Sequence, residues 1–265
     1  MKTIRITRPI VLASLVALMV PIVLFTPKAY AESYVAGQIG LSVPSIGKGL
    51  SKGELNSTNS TSTTSPSGTL TFPSGTELSD QSLKSSLLLG VKFGHFFSKA
   101  RWLGIETELF RTTPHIKQQN LTFTSGSGGP ITFTPTAPGP SSNISELTSV
   151  GAPGLNFRVI TWAPMNVVFR YPGQRLQPYI AIGPGIFFAR LRDSSITSGP
   201  DSQSSTKIGL NTQLGLRYYM TRNVSMFGEW KYNYTRFNFQ ENDNFIGFRA
   251  TYSMHHFAFG IGYHF

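Results

Sequence analysis

The end of the chain alternates large apolar side chains with small or polar ones, with the two-residue period of a β-strand. Because successive side chains of a strand point to opposite faces, every second residue over 255–265 shares a face. One face is small or polar and includes His256, Gly260 and His264. The other is large and apolar, and consists of Phe257, Phe259, Ile261, Tyr263 and Phe265. This pattern predicts a membrane strand, because one face suits lipid and the other suits the interior of a narrow barrel.

Seven further segments show the same alternation, at 34–43, 82–97, 102–111, 155–171, 176–191, 206–220 and 224–234. The connections between them alternate between short ones, at 98–101, 172–175 and 221–223, and long polar ones, at 44–81, 112–154, 192–205 and 235–253. Short turns on one side and long loops on the other are typical of outer-membrane barrels, in which the short turns are periplasmic. The sequence therefore predicts an all-β fold, an eight-stranded antiparallel up-and-down transmembrane β-barrel with long extracellular loops and both termini in the periplasm.

The fourth and fifth segments are long and contain prolines. In the fourth, strict alternation over 155–171 places Phe157 and Val159 on the lipid face, whereas Arg158 and Arg170 point inwards. In the fifth, Pro184 removes a donor from the ladder of backbone hydrogen bonds. A bulge at that proline, or departure of the upper part of the fifth strand from the membrane, is expected.

The two longest connections differ in composition. Residues 56–67 of the first are rich in serine and threonine, which predicts flexible, solvated chain. The second contains two alternating segments, 121–124 and 131–134, separated by the sequence Ser-Gly-Ser-Gly-Gly-Pro. This arrangement predicts a β-hairpin above the membrane, with Phe123 and Phe133 available for contacts with a partner.

The start of the chain has the pattern of a secretory signal peptide. A basic beginning precedes an apolar run at 10–25, and Ala-Tyr-Ala at 29–31 fits the small-x-small cleavage pattern. A retained membrane anchor is the alternative, but the run is shorter than the ~20 residues of a spanning helix, and Pro21 interrupts it. Residues 1–31 are therefore expected to direct export through the Sec pathway and to be removed, which leaves one barrel domain at 32–265.

Composition supports an exported membrane protein. Charged residues make up only 13% of the chain, whereas glycine occurs 26 times and phenylalanine 20 times, so many positions face something other than water. Cysteine is absent, so closure of the backbone rather than disulfides must stabilise the fold. Residues 1–31 hold four of the 23 basic residues and none of the 12 acidic ones, which leaves 19 − 12 = +7. This charge favours outer-membrane lipid and lipopolysaccharide phosphates as partners, and no nucleic-acid-binding motif is present.

Charged residues at inward positions form the main candidate site. Alternation also places Leu83 on the lipid face of the second segment. The interior of an eight-stranded barrel is just wide enough for side chains to fill it, so the inward charges are expected to pair into a plug. A narrow gated pore is the alternative. The inward charged residues are Lys84, Lys92, Glu106, Glu108, Arg217, Glu229 and Lys231.

Histidines give little support for catalysis or metal binding. His255 and His256 are neighbours and must point to opposite faces, His95 lies at the turn side on the lipid face, and His115 lies in the second long loop. Without two histidines close together on one face, or clustered carboxylates, the sequence predicts no catalytic site, no cofactor and no metal site.

Three motifs resemble those of the OmpA-like and OmpX-like eight-stranded outer-membrane β-barrels. Residues 175–185 (RLQPYIAIGPG) look like that family's Arg-x-x-Pro-Tyr followed by alternating glycines, and 215–219 (GLRYY) and 260–265 (GIGYHF) look like its later strands. Pro184 departs from the family's usual pattern. The resemblance covers most of 32–265 and implies residence in the outer membrane of a diderm bacterium. The terminal aromatic face looks like the signal that the barrel-assembly machinery reads.

Such a resemblance specifies fold and assembly strongly and function weakly, so three functions remain open. The first is a non-enzymatic structural or surface-interaction barrel whose external loops contact lipopolysaccharide, a host surface or matrix. The second is a small-solute channel, and the third is an outer-rim hydrolase acting on lipid. The first is favoured because binding residues concentrate on loops that a rigid scaffold carries.

Overall fold

The structure, a computed structural model, describes residues 32–45, 49–64, 67–152 and 154–265. Of the 17 strands in these ranges, numbered β1 to β17 in chain order, eight antiparallel strands form a barrel that closes where β1 pairs with β17. They are β1 (Glu32–Pro44), β7 (Ser86–Phe96), β8 (Leu103–Thr112), β13 (Asn156–Arg170), β14 (Leu176–Arg192), β15 (Ser202–Tyr219), β16 (Val224–Phe239) and β17 (Phe248–His264). The predicted all-β eight-stranded barrel is confirmed. The predicted signal peptide at 1–31 lies outside the described residues.

The other nine strands form a β-rich cap above the barrel, which we call the crown. They are β2 (Gly49–Leu55), β3 (Asn59–Thr64), β4 (Ser67–Phe72), β5 (Glu77–Leu78), β6 (Gln81–Ser82), β9 (Gln119–Thr124), β10 (Ile131–Pro135), β11 (Ser142–Ile144) and β12 (Glu146–Ala152). Strand β2 pairs with the upper part of β17 and so continues the barrel wall. Strands β3, β4, β10 and β11 form a separate four-stranded sheet, which we call the tip sheet.

The two longest connections are therefore folded, and two predictions about them are wrong. Residues 56–67, expected to be flexible, include β3 and the start of the β3–β4 hairpin. The segments 121–124 and 131–134 do not pair with each other, because β9 pairs with β5 and β12, whereas β10 pairs with β4 and β11. These distant pairings bury an apolar core beneath the tip sheet, with Phe72 and Ile131 among its members. Alternation identifies a strand, but it does not identify its partner.

The barrel wall rises further than the sequence predicts. Strands β14 to β17 are 16 to 18 residues long, whereas a tilted membrane strand needs about 9 to 11. The connections expected at 192–205 and 235–253 shrink to 193–201 and 240–247. The upper part of the barrel therefore stands above the membrane and supports the crown.

Strand β13 contains a β-bulge that reverses which side chains face the lumen. Its register shifts by one residue against both β8 and β14 in the stretch between Trp162 and Val167, which contains Pro164. One extra residue moves every side chain beyond it to the opposite face. Phe157 and Val159 are consequently buried in the lumen, and Arg158 points outwards. The sequence-based orientation of these three residues is wrong, because strict alternation assumed an unbroken strand.

Pro184 does not disturb β14, contrary to expectation. It pairs in regular register with Leu210, and β14 continues to Arg192. On its other side it lies opposite the β13 bulge, where β13 and β14 have no paired residues between Trp162/Ile186 and Val167/Ile182. The lost donor therefore falls where the ladder is already interrupted.

An apolar band surrounds the outside of the barrel. Outward side chains such as Ile180, Leu214 and Phe259 are about half exposed or more, as expected for lipid contact. At the turn end, exposed aromatic residues occupy the level at which membrane barrels carry an aromatic girdle, namely Phe97, Tyr171, Tyr218 and Phe265. In the ranges that the structure describes, no helix is long and apolar enough to cross a membrane.

Candidate functional site

A cluster of five buried charges crosses the middle of the lumen, and we call it the charge layer. Strands β7, β8 and β16 supply it from inward-facing alternate positions, and every member has a side-chain exposure of 0%. The Nζ of Lys92 lies 3.2 Å from an oxygen of Glu106 and 2.5 Å from one of Glu229. The Nζ of Lys231 contacts Glu108 and lies 3.0 Å from Glu229. The members are Lys92, Glu106, Glu108, Glu229 and Lys231.

Neutral side chains link the charges further. Gln213 accepts a hydrogen bond of 2.7 Å from Lys92 and donates one of 2.7 Å to Glu108. Gln38, on β1, donates to Glu108 at 2.5 Å. The charge layer therefore joins strands from opposite sides of the barrel, as buried charges require when they are removed from water.

Arg217 approaches the charge layer without joining an ion pair in the described residues. Its guanidinium carbon lies 4.1 Å from the ring centroid of Tyr34 and 5.3 Å from that of Tyr179. The hydroxyl of Tyr34 donates to Glu106 at 2.5 Å, and that of Tyr179 donates to Glu229. Two ammonium groups and this guanidinium balance three carboxylates, so the six charged residues together are neutral. The tyrosines connect Arg217 to the carboxylates that sequence reasoning expected it to meet directly.

Lys84 lies outside this arrangement, and its predicted inward position is wrong. Residues 84 and 85 belong to no strand, and β7 begins at Ser86. The alternation of inward and outward side chains along a strand is not maintained across such a break. Lys84 is exposed, whereas Leu83, expected to face lipid, is 1% exposed and forms an isolated bridge with Ile116.

A second filled level, which we call the aromatic layer, occupies the lumen above the charges. The centroid of the Phe157 ring lies 6.1 Å from the ring centroids of both Phe237 and Tyr252. Both pairs of rings meet edge to face. Edge-to-face contacts of this kind favour tight packing. The buried members are Leu50, Leu83, Ile116, Phe157, Val159, Phe187, Ala189, Leu191, Phe237, Phe239, Ala250, Tyr252 and Met254.

Sequence reasoning missed the aromatic layer for two reasons. The β13 bulge hid the inward position of Phe157, and 235–253 was assigned to a loop. A signal was nevertheless present, because Phe237 and Phe239 continue the inward alternation of Lys231 along β16.

One polar group has the connectivity of an acyl-transfer triad. The Nε2 of His264 lies 2.7 Å from the Ser225 hydroxyl, and its Nδ1 lies 2.8 Å from a carboxylate oxygen of Glu32. A nucleophile must be reachable by its substrate, but Ser225 is fully buried and Arg170 also pairs with Glu32 at 2.6 Å. The group is better explained as a polar network at the periplasmic end of the lumen.

The other histidines are dispersed, as their positions in the sequence suggest. His256 points inwards with its Nδ1 2.7 Å from the Ser42 hydroxyl, whereas His255 packs against the rings of Trp230 and Tyr232. In the part of the chain that the structure describes, no three histidine, cysteine, aspartate or glutamate side chains are placed to hold a metal ion.

The aromatic face of β17 points away from the lumen. Its five members are between 47% and 69% exposed, so they lie in the apolar band. Strand β17 forms one side of the seam that closes the barrel, opposite β1. The members are Phe257, Phe259, Ile261, Tyr263 and Phe265.

Comparison with known proteins identifies similar barrels. Neisserial surface protein A has 11% identity and a TM-score of 0.42, with 89% of this chain and 97% of that one covered. OprG from Pseudomonas aeruginosa has 12% identity and a TM-score of 0.46, covering 89% and 96%. Ail from Yersinia pestis, in complex with the heparin analogue sucrose octasulfate, has 14% identity and a TM-score of 0.38, covering 89% and 100%. No curated protein matches the chain.

The match to a protein family covers most of the sequence. The outer membrane protein beta-barrel domain matches residues 45–265, which include seven of the eight barrel strands entirely. With the closed eight-stranded architecture, this match places the chain in the outer membrane of Gram-negative bacteria. The chain belongs to the outer membrane protein beta-barrel domain family, as a small barrel of eight strands.

Proposed function

We propose that this protein is a non-enzymatic, non-conducting barrel whose crown makes contacts at the cell surface. The observation that carries the proposal is the filling of the lumen at two successive levels, the charge layer and the aromatic layer. Because the two layers lie in series, a solute crossing the lumen would have to displace both of them. This arrangement favours a scaffold over a channel.

The crown has the features of a rigid binding platform. It has its own apolar core, with Leu55, Phe72 and Ile131 buried, so it is a folded unit rather than a set of mobile loops. In the tip sheet, β3 and β11 are edge strands. Edge strands offer unpaired backbone groups, which are a common means of peptide recognition. Partner recognition is therefore proposed for the tip sheet.

Excision of the tip sheet is expected to leave the barrel intact and to abolish surface contacts. Leu55 exchanges backbone hydrogen bonds of 2.9 Å with Gly75 and Thr76, and Ser125 N–H donates to the carbonyl of Ser145 at 2.8 Å. These contacts bring the ends of 57–74 and of 126–144 close enough for short glycine-serine turns to replace both segments. Cells displaying the wild type or this variant would be compared for retention on immobilised laminin, on fibronectin and on a layer of unlabelled cells.

A variant with a shortened β14–β15 connection, at 195–199, serves as the control. It should be retained like the wild type, and all three proteins should show the same heat-dependent gel mobility. Equal retention of the wild type and the tip-sheet variant on every surface would contradict a role of the crown in binding.

Lipopolysaccharide and the barrel-assembly machinery are the proposed partners in the membrane. We infer that the machinery reads the outward aromatic face of β17. Phe265→Lys is expected to lower the folded fraction in the outer membrane several-fold, whereas refolding of the purified variant in detergent should be unchanged. Substitution is preferable to deletion, because the N–H of Phe265 donates to the carbonyl of Ser33 at 3.0 Å across the seam.

Phe97→Lys provides the matched control, because Phe97 is also an exposed aromatic residue at the turn end. Quantitative heat-modifiability of outer-membrane fractions measures the folded fraction. A normal folded fraction for Phe265→Lys, or an equal loss in both variants, would show that the terminal aromatic residue is not a specific signal.

A further inference from the structure

Four arginines lie together on the outside of the barrel wall, in a depression that we call the arginine pocket. The register makes them neighbours, because Arg111 on β8 pairs with Ile160, and Arg158 on β13 pairs with Arg190 on β14. The depression has a volume of about 270 Å³. Its lining includes Thr113, His115 and the four arginines, which are Arg111, Arg158, Arg190 and Arg192.

The outward position of the pocket follows from the β13 bulge. Without the extra residue, Arg158 would point into the lumen, away from Arg111 and Arg190. With it, Phe157 and Val159 fill the lumen, and Arg158 joins the other arginines outside.

The positive charge of the arginine pocket is largely uncompensated. Arg192 pairs with Asp201 at 2.7 Å, and Arg190 donates to the Ser202 hydroxyl at 3.0 Å. Across the described ranges, no carboxylate forms an ion pair with Arg111, Arg158 or Arg190. Arg158 on β13 lies between Arg111 on β8 and Arg190 on β14, so these like charges repel one another. Mutual repulsion of this kind is relieved when an anion binds.

Two other arginines of the upper barrel wall, Arg236 on β16 and Arg249 on β17, are instead paired with a carboxylate. Arg236 and Arg249 both pair with Glu54, at 2.8 Å and 2.6 Å. The lack of a carboxylate paired with Arg111, Arg158 or Arg190 is therefore a local feature, and the pocket is suited to an anion from outside the chain.

The position of the arginine pocket relative to the membrane indicates where such an anion would come from. One step closer to the periplasm on the same outer face lie Ile160 and Phe188, and Phe188 is 41% exposed. Beside Arg111 on β7 is Leu89, which is 53% exposed. The arginines therefore lie directly at the upper edge of the apolar band, the level of lipid headgroups.

We propose that the arginine pocket binds a phosphate group of the lipid A headgroup of lipopolysaccharide. Guanidinium groups bind phosphate through paired, charge-assisted hydrogen bonds, so several arginines around one depression suit a phosphate better than a neutral sugar. The site deepens the contact with lipopolysaccharide proposed above, on which it rests, and it does not depend on the tip sheet.

Binding of purified lipid A to the full refolded barrel in detergent micelles tests the site. Native mass spectrometry would compare wild type, the triple variant R111Q/R158Q/R190Q and the control R101Q/R175Q/R222Q. The control removes the same charge from exposed arginines at the turn end. Retention of bisphosphorylated lipid A should fall roughly ten-fold or more in the triple variant, since each lost arginine removes strong charge-assisted contacts. It should be unchanged in the control and in the tip-sheet variant.

Dephosphorylated lipid A should bind the wild type about as weakly as bisphosphorylated lipid A binds the triple variant. Equal retention by wild type and the triple variant, or equal binding of dephosphorylated lipid A, would overturn the proposal. Displacement of lipid A by an equal concentration of inorganic phosphate would assign the site to a free anion instead. Arginine-dependent binding of a heparin oligosaccharide without binding of lipid A would assign it to an extracellular polyanion. Loss of cell retention in the tip-sheet variant with lipid A binding intact separates this proposal from that for the crown.

Discussion

Glu229→Ala is expected to lower the free energy of unfolding by ~3–5 kcal/mol, because a buried positive charge loses the carboxylate that compensates it. Glu229 contacts both ammonium groups of the charge layer, at 2.5 Å from Lys92 and 3.0 Å from Lys231. Its removal also converts a neutral set of six charges into one with a net charge of +1. The measurement is the urea midpoint for conversion of the folded gel species to the unfolded one, with the slope held constant.

Two further variants test whether the loss of stability is caused by the unbalanced buried charge. Glu146→Ala removes an exposed carboxylate from the crown and should leave the midpoint unchanged. The double variant E229Q/K231M removes one charge of each sign, so it should be more stable than E229Q alone. An unchanged midpoint for Glu229→Ala would mean that the lumen is hydrated and that its charges are screened by water.

Phe157→Ala is expected to cost ~3–5 kcal/mol, the usual range for a buried phenylalanine, because it opens a cavity in the aromatic layer. Phe169→Ala is the matched control, since the same substitution on the same strand removes a side chain that is 41% exposed on the outer face. Phe169 lies below the β13 bulge and Phe157 above it. The comparison therefore tests the reversal of faces as well as the packing.

Urea midpoints of the two variants provide the measurement. A clearly larger loss for Phe157→Ala is the expected result. Equal losses would indicate that Phe157 faces lipid, as strict alternation predicts, and would contradict both the bulge and the aromatic layer.

The parts of the fold that sequence predicts are those that depend on local pattern. Alternation along β17 and β16 places Phe259 outside and Glu229 inside, and turn composition locates the three short periplasmic connections. The charged positions of the lumen follow in the same way wherever the strand is unbroken.

The remaining features depend on irregularities and on distant partners. The bulge near Pro164 and the break at residues 84–85 each shift the alternation of inward and outward side chains by one residue. Arg158 and Lys84 therefore do not face the lumen as predicted. Strand β10 looks like the second half of a local hairpin, but it pairs with β4, about 60 residues earlier in the chain. Sequence alternation contains no information about such long-range pairing. The arginine pocket could not be predicted for the same reason, because it needs both the bulge and the register of three strands.

The two filled layers also determine how permeability responds to mutation. Because they lie in series, Glu229→Ala or Phe157→Ala alone should leave the other layer closed. The combined variant E229A/F157A should admit ions if it still folds. Ion permeation in the combined variant but in neither single variant would show that the lumen is blocked at two levels rather than by a single gate.

Single-channel recording of the wild-type protein in a planar bilayer tests the central claim most directly. The current should stay at the level of the protein-free membrane in molar salt at both polarities, because buried side chains of the charge layer and the aromatic layer fill the lumen at two levels. Regular stepwise currents that scale with voltage and with the amount of folded protein would contradict a filled lumen and would favour a solute channel instead.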